Sequence, residues 1–310
     1  MQLQKYQLRQ RLMGSDFELT VTDTDEQSAQ AHLAAGVAEI QRIERLLTVF
    51  DPASVTAVIN QSAGRMAVDV PAEVYALMQR CMRLSAMTQG AFDISTGALK
   101  ALYNFKGRAF ALPTKGQLQA AQRQTGYQHI DLTRAGQVFL RQSGMQIGFG
   151  AIGKGYAADR VKALLLQRGV RSGVINASGD LTAWGQQPSG EAWKVGIADP
   201  VSAERVLLWL PIQQSSVATS GNYEQYFEVN GERYSHNIDP RTGMPVQGIK
   251  SVTIVSPSAE LSDALATAVT VMGVCAGLYL TDQLPDVHAI VIDEENRIHT
   301  SRQIQLHTHA

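Results

Sequence analysis

Gly148-Phe149-Gly150-Ala151-Ile152-Gly153-Lys154-Gly155 satisfies two phosphate-binding patterns at once. It contains G-x-G-x-x-G, the dinucleotide fingerprint, and G-x-x-x-x-G-K, most of a phosphate loop. A phosphate loop continues with a Ser or Thr whose hydroxyl holds magnesium, and Gly155 stands in that place. The dinucleotide fingerprint belongs in a βαβ unit near the start of a parallel sheet. This cluster lies mid-chain, and a run of strand patterns with few helices between them follows it, at 173–176, 181–184, 194–197, 206–210, 226–229 and 251–255. Both α/β readings therefore fail. The pattern predicts an α+β fold, mostly antiparallel sheet packed with helices. What survives is physical: glycines let a backbone approach a phosphate closely, and the helix predicted at 153–168 turns its positive end toward it. A tight strand-to-helix turn with no ligand is the bland alternative.

Upstream, Phe17, Leu19 and Val21 alternate with polar residues beside the Gly14-Ser15 turn, as in a hairpin. Leu33, Val37, Ile40, Ile43 and Leu47 form one apolar stripe of a helix over 26–48, with His32 beside it in a structural role. Val74, Leu77, Cys81 and Leu84 repeat that pattern over 71–89, between Pro71 and Gly90. A short polar helix at 113–124 and strands at 130–132, 138–140 and 145–147 lead into the glycines. Downstream, a helix at 259–272 and a hairpin at 287–301 close the chain. No linker divides it, so residues 1–310 read as a single domain of intimate subdomains.

With 27 basic and 28 acidic residues in 310, the net charge of −1 gives no sign of a nucleic-acid footprint or a polybasic membrane contact. The two cysteines, Cys81 and Cys275, fall in apolar helical patterns and are expected as buried free thiols. No apolar run is long enough to span a bilayer. The N-terminal residues lack an apolar signal core and a nearby cysteine to carry a lipid, which points to the cytoplasm, with an exported form trimmed of its leader as the alternative.

The densest polar loop is 234–243, Tyr-Ser-His-Asn-Ile-Asp-Pro-Arg-Thr-Gly, just after the Asn230-Gly231 hairpin signal. His236 can take a proton near neutrality, and Asp239 could orient it. Arg241 could instead pair with Asp239 and brace the turn. Asp263 and Thr267 are four apart on a predicted helix, so they share a face. A carboxylate with a hydroxyl suits a hard cation such as magnesium, whereas an Asp at a helix start also serves as a cap.

These segments together resemble the ApbE family of FAD:protein FMN transferases. Gly150–Tyr156 stands where that family has Gly-Gly-Ile-Ala-Lys-Gly-Tyr, with Asp159 at the acidic position just beyond. Asp263–Thr267, Ser235–Pro240, Met13-Gly14-Ser15, Phe50 through Asn60, Thr88–Asp93, Asn176–Asp180 and Thr219-Ser220-Gly221 match further motifs. The chain departs from the family at Phe50 (commonly Tyr), Val55 (commonly Glu) and Gly148 (usually Asp).

The resemblance implies an active site in a cleft between two subdomains. It implies a magnesium ion, with manganese as the alternative, on Asp263, Thr267 and the carbonyl of Gly153. FAD is implied as substrate, contacted by Met13, Phe50, Asn60, Asp93, Lys154, Asp159, Ser178, Thr219 and Ser220. His236 is implied as base or acceptor-positioning group, with Asp239 and Arg241. The implied partner is an acceptor flavoprotein carrying Asp-x-x-Ser/Thr-Gly-Ala-Ser/Thr. An FAD pyrophosphatase and a flavin carrier without turnover are the rival readings. Asp93–Leu99 imitates the acceptor motif up to its last position, where Leu99 has no hydroxyl, so self-modification is not expected.

Overall fold

The computed structural model describes residues 2–103, 112–199, 202–221, 226–229, 232–302 and 304. Among them, eight strands form one sheet: Gln4–Leu12, Ser15–Asp23, Gly173–Ala177, Asp180–Trp184, Ser216–Gly221, Ile249–Ser256, His288–Asp293 and Ile298–Thr300. Their order in the sheet is their order in the chain, and every neighbouring pair is antiparallel. The expected antiparallel α+β architecture is thus a single meander, with everything else inserted into its connections.

The largest insertion separates the second and third strands. It carries the helices Glu26–Leu47, Val55–Gln61, Ala72–Met87, Gly97–Lys100, Lys115–Arg123 and Gly153–Gln167, and a small sheet of Val68–Asp69, Gln137–Leu140 and Ile130–Asp131. The first helix starts where Asp25 accepts the Ser28 N–H and buries the stripe read from its sequence. That stripe serves two cores. Leu33 and Ile40 pack with Phe17, Leu19, Ile175 and Val161 against the sheet, while Ile43 and Leu47 pack with Leu77, Phe92, Val138 and Phe149 inside the insertion. The helix Gly153–Gln167 is divided the same way, with Tyr156 and Ala157 in one core and Ala158 and Val161 in the other. The glycine turn therefore lies where the two cores meet.

Several expectations are corrected. Residues 145–147 are not a strand; a lone parallel bridge joins Thr96 to Gln146. The reason is Asn60, whose amide takes both backbone groups of Ile147, donating to its carbonyl at 2.9 Å and accepting its N–H at 2.8 Å. Ser216–Gly221, which carries no hydrophobic alternation, is the fifth strand of the sheet. After Ala259–Met272 the chain breaks at Gly273 and runs on as a second helix, Val274–Thr281. Cys81 is buried as expected, but Cys275, in that second helix, is exposed.

Candidate active site

The glycine turn is closed by the Phe149 carbonyl, which accepts the Gly153 N–H at 2.6 Å. Gly155 has a steric reason to be glycine: a Cβ there would lie 2.2 Å from the Ala259 carbonyl oxygen. Helix Gly153–Gln167 crosses the start of helix Ala259–Met272 at that point, which explains why the Ser or Thr of a phosphate loop has no place here. Gly153 is different. A Cβ on it would meet Phe149 and Met13 at 3.5 and 3.6 Å, ordinary contact, so the alanine of relatives fits. A side chain at Gly148 would meet Val49 at 3.7 Å, so packing does not force that departure either.

Helix Ala259–Met272 is capped from two directions. Ser258 accepts the Leu261 N–H at 3.3 Å, and Asp159, from the neighbouring helix, accepts from Ser258 Oγ and from the Ala259 and Glu260 N–H groups at 2.7, 3.0 and 2.9 Å. Asp159 thus braces the helix that carries Asp263. Arg80 adds a bidentate pair to Glu260 at 2.5 and 2.9 Å. One turn on, Asp263 is 7% exposed, and among the described residues one hydrogen-bond donor reaches it, the Gly155 N–H at 3.1 Å. Burial first, and then the charge of Asp180, push its carboxyl up to about 7, against the opposing pull of Lys154 and the Gly155 N–H. Thr267 is half-buried one turn further along. A buried, under-satisfied carboxylate with a hydroxyl on the same helix face fits a hard divalent cation, which takes few protein ligands and keeps water and phosphate oxygens.

Lys154 extends to Asp180, with Nζ 2.7 Å from Oδ2. Asp180 is 4% exposed and accepts the Thr219 N–H through its other oxygen at 3.3 Å. It follows a tight turn in which Ser178 and Gly179 both have positive φ, 57° and 99°. Thr219 Oγ1 hydrogen-bonds Thr253 Oγ1 at 2.9 Å, and Ser220 Oγ accepts from Asn237 Nδ2 at 3.2 Å. A continuous path of polar contacts therefore runs from the glycine helix through strand Ser216–Gly221 to the residue after His236.

His236 is half-buried at the head of a turn docked on the insertion. Asp239 accepts from the Arg241 backbone N–H and from two of its guanidinium nitrogens, each at 2.9 Å, so Arg241 braces the turn. Tyr103 donates to the Gly243 carbonyl at 2.6 Å, Gln122 to the Thr242 carbonyl at 2.9 Å, and Ile238 is buried with Leu99 and Ala121.

The predicted residues thus divide. Lys154 and Thr219 meet on Asp180, and Asp263 meets the glycine helix at Gly155, two residues after Gly153. Thr267 lies one helical turn beyond Asp263, and the His236 turn reaches Ser220 through Asn237. Asn60, Asp93 and Asp159 have their polar atoms engaged by the scaffold. Asp93 accepts from Ser95 N–H and Ser95 Oγ, both at 2.7 Å, and from the Tyr127 N–H at 2.7 Å. Ser95 is fully buried and accepts the Gly126 N–H at 2.8 Å, which removes it as a flavin acceptor in the folded chain. Met13 adopts φ 50° at its turn and packs against both cores. Phe50 is 90% exposed, the largest apolar exposure among the described residues. Asp180 was not anticipated; its one signal is the motif Asn176–Asp180 that ends on it.

A match to the ApbE family spans residues 13–291. A FAD:protein FMN transferase of Klebsiella pneumoniae is 34% identical over 291 residues, covering 93% of this chain and 89% of that protein. Another from Treponema pallidum is 34% identical over 282 residues, covering 86% and 78%. In structure, the chain is similar to the ApbE protein of Thermotoga maritima, with TM-score 0.88, 30% identity and coverage of 96% and 97%. The apo form of the Pseudomonas stutzeri flavinyl transferase ApbE gives TM-score 0.88 at 27% identity, covering 97% and 96%.

Proposed function

The chain belongs to the ApbE family, and from that premise we propose that it is an FAD:protein FMN transferase acting on a Ser or Thr hydroxyl of a separate flavoprotein. The observation that carries the reading is the junction at Gly155, where the glycine turn, the under-satisfied Asp263 and the Lys154–Asp180 pair converge. Glycine backbone and a helix N-terminus receive the pyrophosphate of FAD, with Lys154, Thr219 and Ser220 around it. Asp263, Thr267 and the Gly153 carbonyl would hold magnesium, or manganese in its place, which supplies charge neutralisation at the pyrophosphate.

The acceptor oxygen bonds to the FMN-side phosphorus as the bond from that phosphorus to the bridging oxygen breaks, so AMP leaves and a phosphodiester remains. His236 takes the hydroxyl proton, and the Asp239–Arg241 pair keeps its turn in place. Exposed Phe50 offers a face on which an isoalloxazine can stack. The acceptor recognised is a protein with an Asp-x-x-Ser/Thr-Gly-Ala-Ser/Thr-like segment.

The test incubates the protein with FAD, magnesium and flavoproteins bearing such a segment, then measures AMP and flavin fluorescence in a denaturing gel. AMP in step with a fluorescent acceptor band is expected. AMP with only free FMN would make the protein a pyrophosphatase, and FAD bound without AMP would make it a carrier.

A further inference from the structure

We propose that Asp180 is a positioning residue for FMN transfer, holding Lys154 directed at the substrate's pyrophosphate and away from Asp263. The inference rests on the transferase reading above. Asp180 is one of four buried acidic residues among those described, and its two oxygens join two separate site segments: Lys154 Nζ at 2.7 Å and the Thr219 N–H at 3.3 Å. A lysine ammonium is a compact charge on a flexible four-carbon stem, so it needs a fixed partner to keep one direction. Asp180 is fixed: it begins strand Asp180–Trp184, directly after the tight turn at Ser178 and Gly179, and pairs with Ala177 across that turn.

The competing partner is one residue away. The Gly155 N–H already binds Asp263, so the backbone beside Lys154 faces the carboxylate proposed to hold the cation. With Asp180 neutralised, the ammonium would lose its carboxylate partner and Asp263, which already feels its charge, would compete for it, occupying the cation's ligand and drawing the lysine from the pyrophosphate.

The experiment is a double-mutant cycle on FMN transfer, with wild type, D180N, K154M and D180N/K154M, each checked by thermal melting. Asp180→Asn alone is expected to slow transfer by roughly tenfold or more, the scale of a misplaced catalytic group. In the Lys154→Met background the same change is expected to alter the rate by less than about twofold, since coupled sites depart from additivity. A scaffold role for Asp180 would instead multiply the two losses, and that result overturns the proposal. If D180N alone does not fold, the comparison of K154M with the double variant decides by itself. Equal rates support the proposal and a further loss in the double variant overturns it. Absence of transfer by the wild-type protein would overturn the transferase reading and this inference together.

Discussion

The loop at Asp93 and the helical turn at Asp263 both withdraw a carboxylate from solvent, Asp93 partly and Asp263 almost wholly, and burial raises both carboxyls, but the protein satisfies them differently. Asp93 is saturated, with three donors at 2.7 Å from Ser95 and Tyr127. Asp263 has one donor at 3.1 Å, and burial first, then the charge of Asp180, push its carboxyl up to about 7. A carboxylate whose lone pairs are filled by the protein holds a fold together. One left under-satisfied in a buried place costs stability unless something absent from the chain completes it. Asp159, which also caps with both oxygens, belongs with Asp93.

The largest expected effect separates the two. Asp263→Asn should abolish FMN transfer while the protein stays folded. Asp263 has a folded pKa of about 7 against 3.8 for the unfolded chain, so its ionisation opposes folding progressively from about pH 4 to pH 7. At pH 8 without metal the Asn variant should therefore be more stable than wild type by roughly 2–4 kcal/mol, a gap that closes at pH 4. Urea melts at both pH values check this, and a destabilised variant at pH 8 would place Asp263 with Asp93.

His236→Ala should slow transfer by roughly a hundredfold or more, as for loss of a general base. FAD binding, followed by flavin fluorescence, should persist; an unchanged rate would remove His236 from the chemistry. Asp93→Asn should leave the Tyr127 N–H without its acceptor and lower stability by about 1–3 kcal/mol. The catalytic rate of its folded fraction should stay near wild type, and a selective loss of rate would move Asp93 into the site. Its neighbour Ser95, buried in the same loop, should acquire no FMN when the chain is incubated alone with FAD and magnesium, which intact mass spectrometry reads. The smallest effect belongs to Gly153→Ala, within about 0.5 kcal/mol and with transfer retained, because the added Cβ meets only ordinary contacts.

How much of this the sequence carried follows from the range of the interactions. Helices such as Glu26–Leu47 and Ala72–Met87 were legible because each must bury one apolar stripe, and strands such as Gly173–Ala177 because β-branched residues mark them. Ser216–Gly221 was not, since Ser-Val-Ala-Thr-Ser-Gly is small and polar, and its place comes from neighbours on both sides. Residues 145–147 were misread because a single Asn60 side chain replaces a strand partner. In the candidate site, the shared helix of Asp263 and Thr267 was readable from spacing, while a metal-binding role for them comes from the resemblance alone. The role of Asp180 was not, because the lysine it holds is 26 positions away and only the fold makes them neighbours. Nor could spacing tell the saturated Asp93 and Asp159 from the under-satisfied Asp263.

The most direct test of that distinction is the thermal shift produced by magnesium at pH 8, measured on wild type, D263N and D93N without FAD. Magnesium should raise the melting temperature of wild type and of D93N by the same increment, and leave D263N unmoved. An equal shift in D263N would contradict the account, because the cation would then be held somewhere other than the under-satisfied carboxylate.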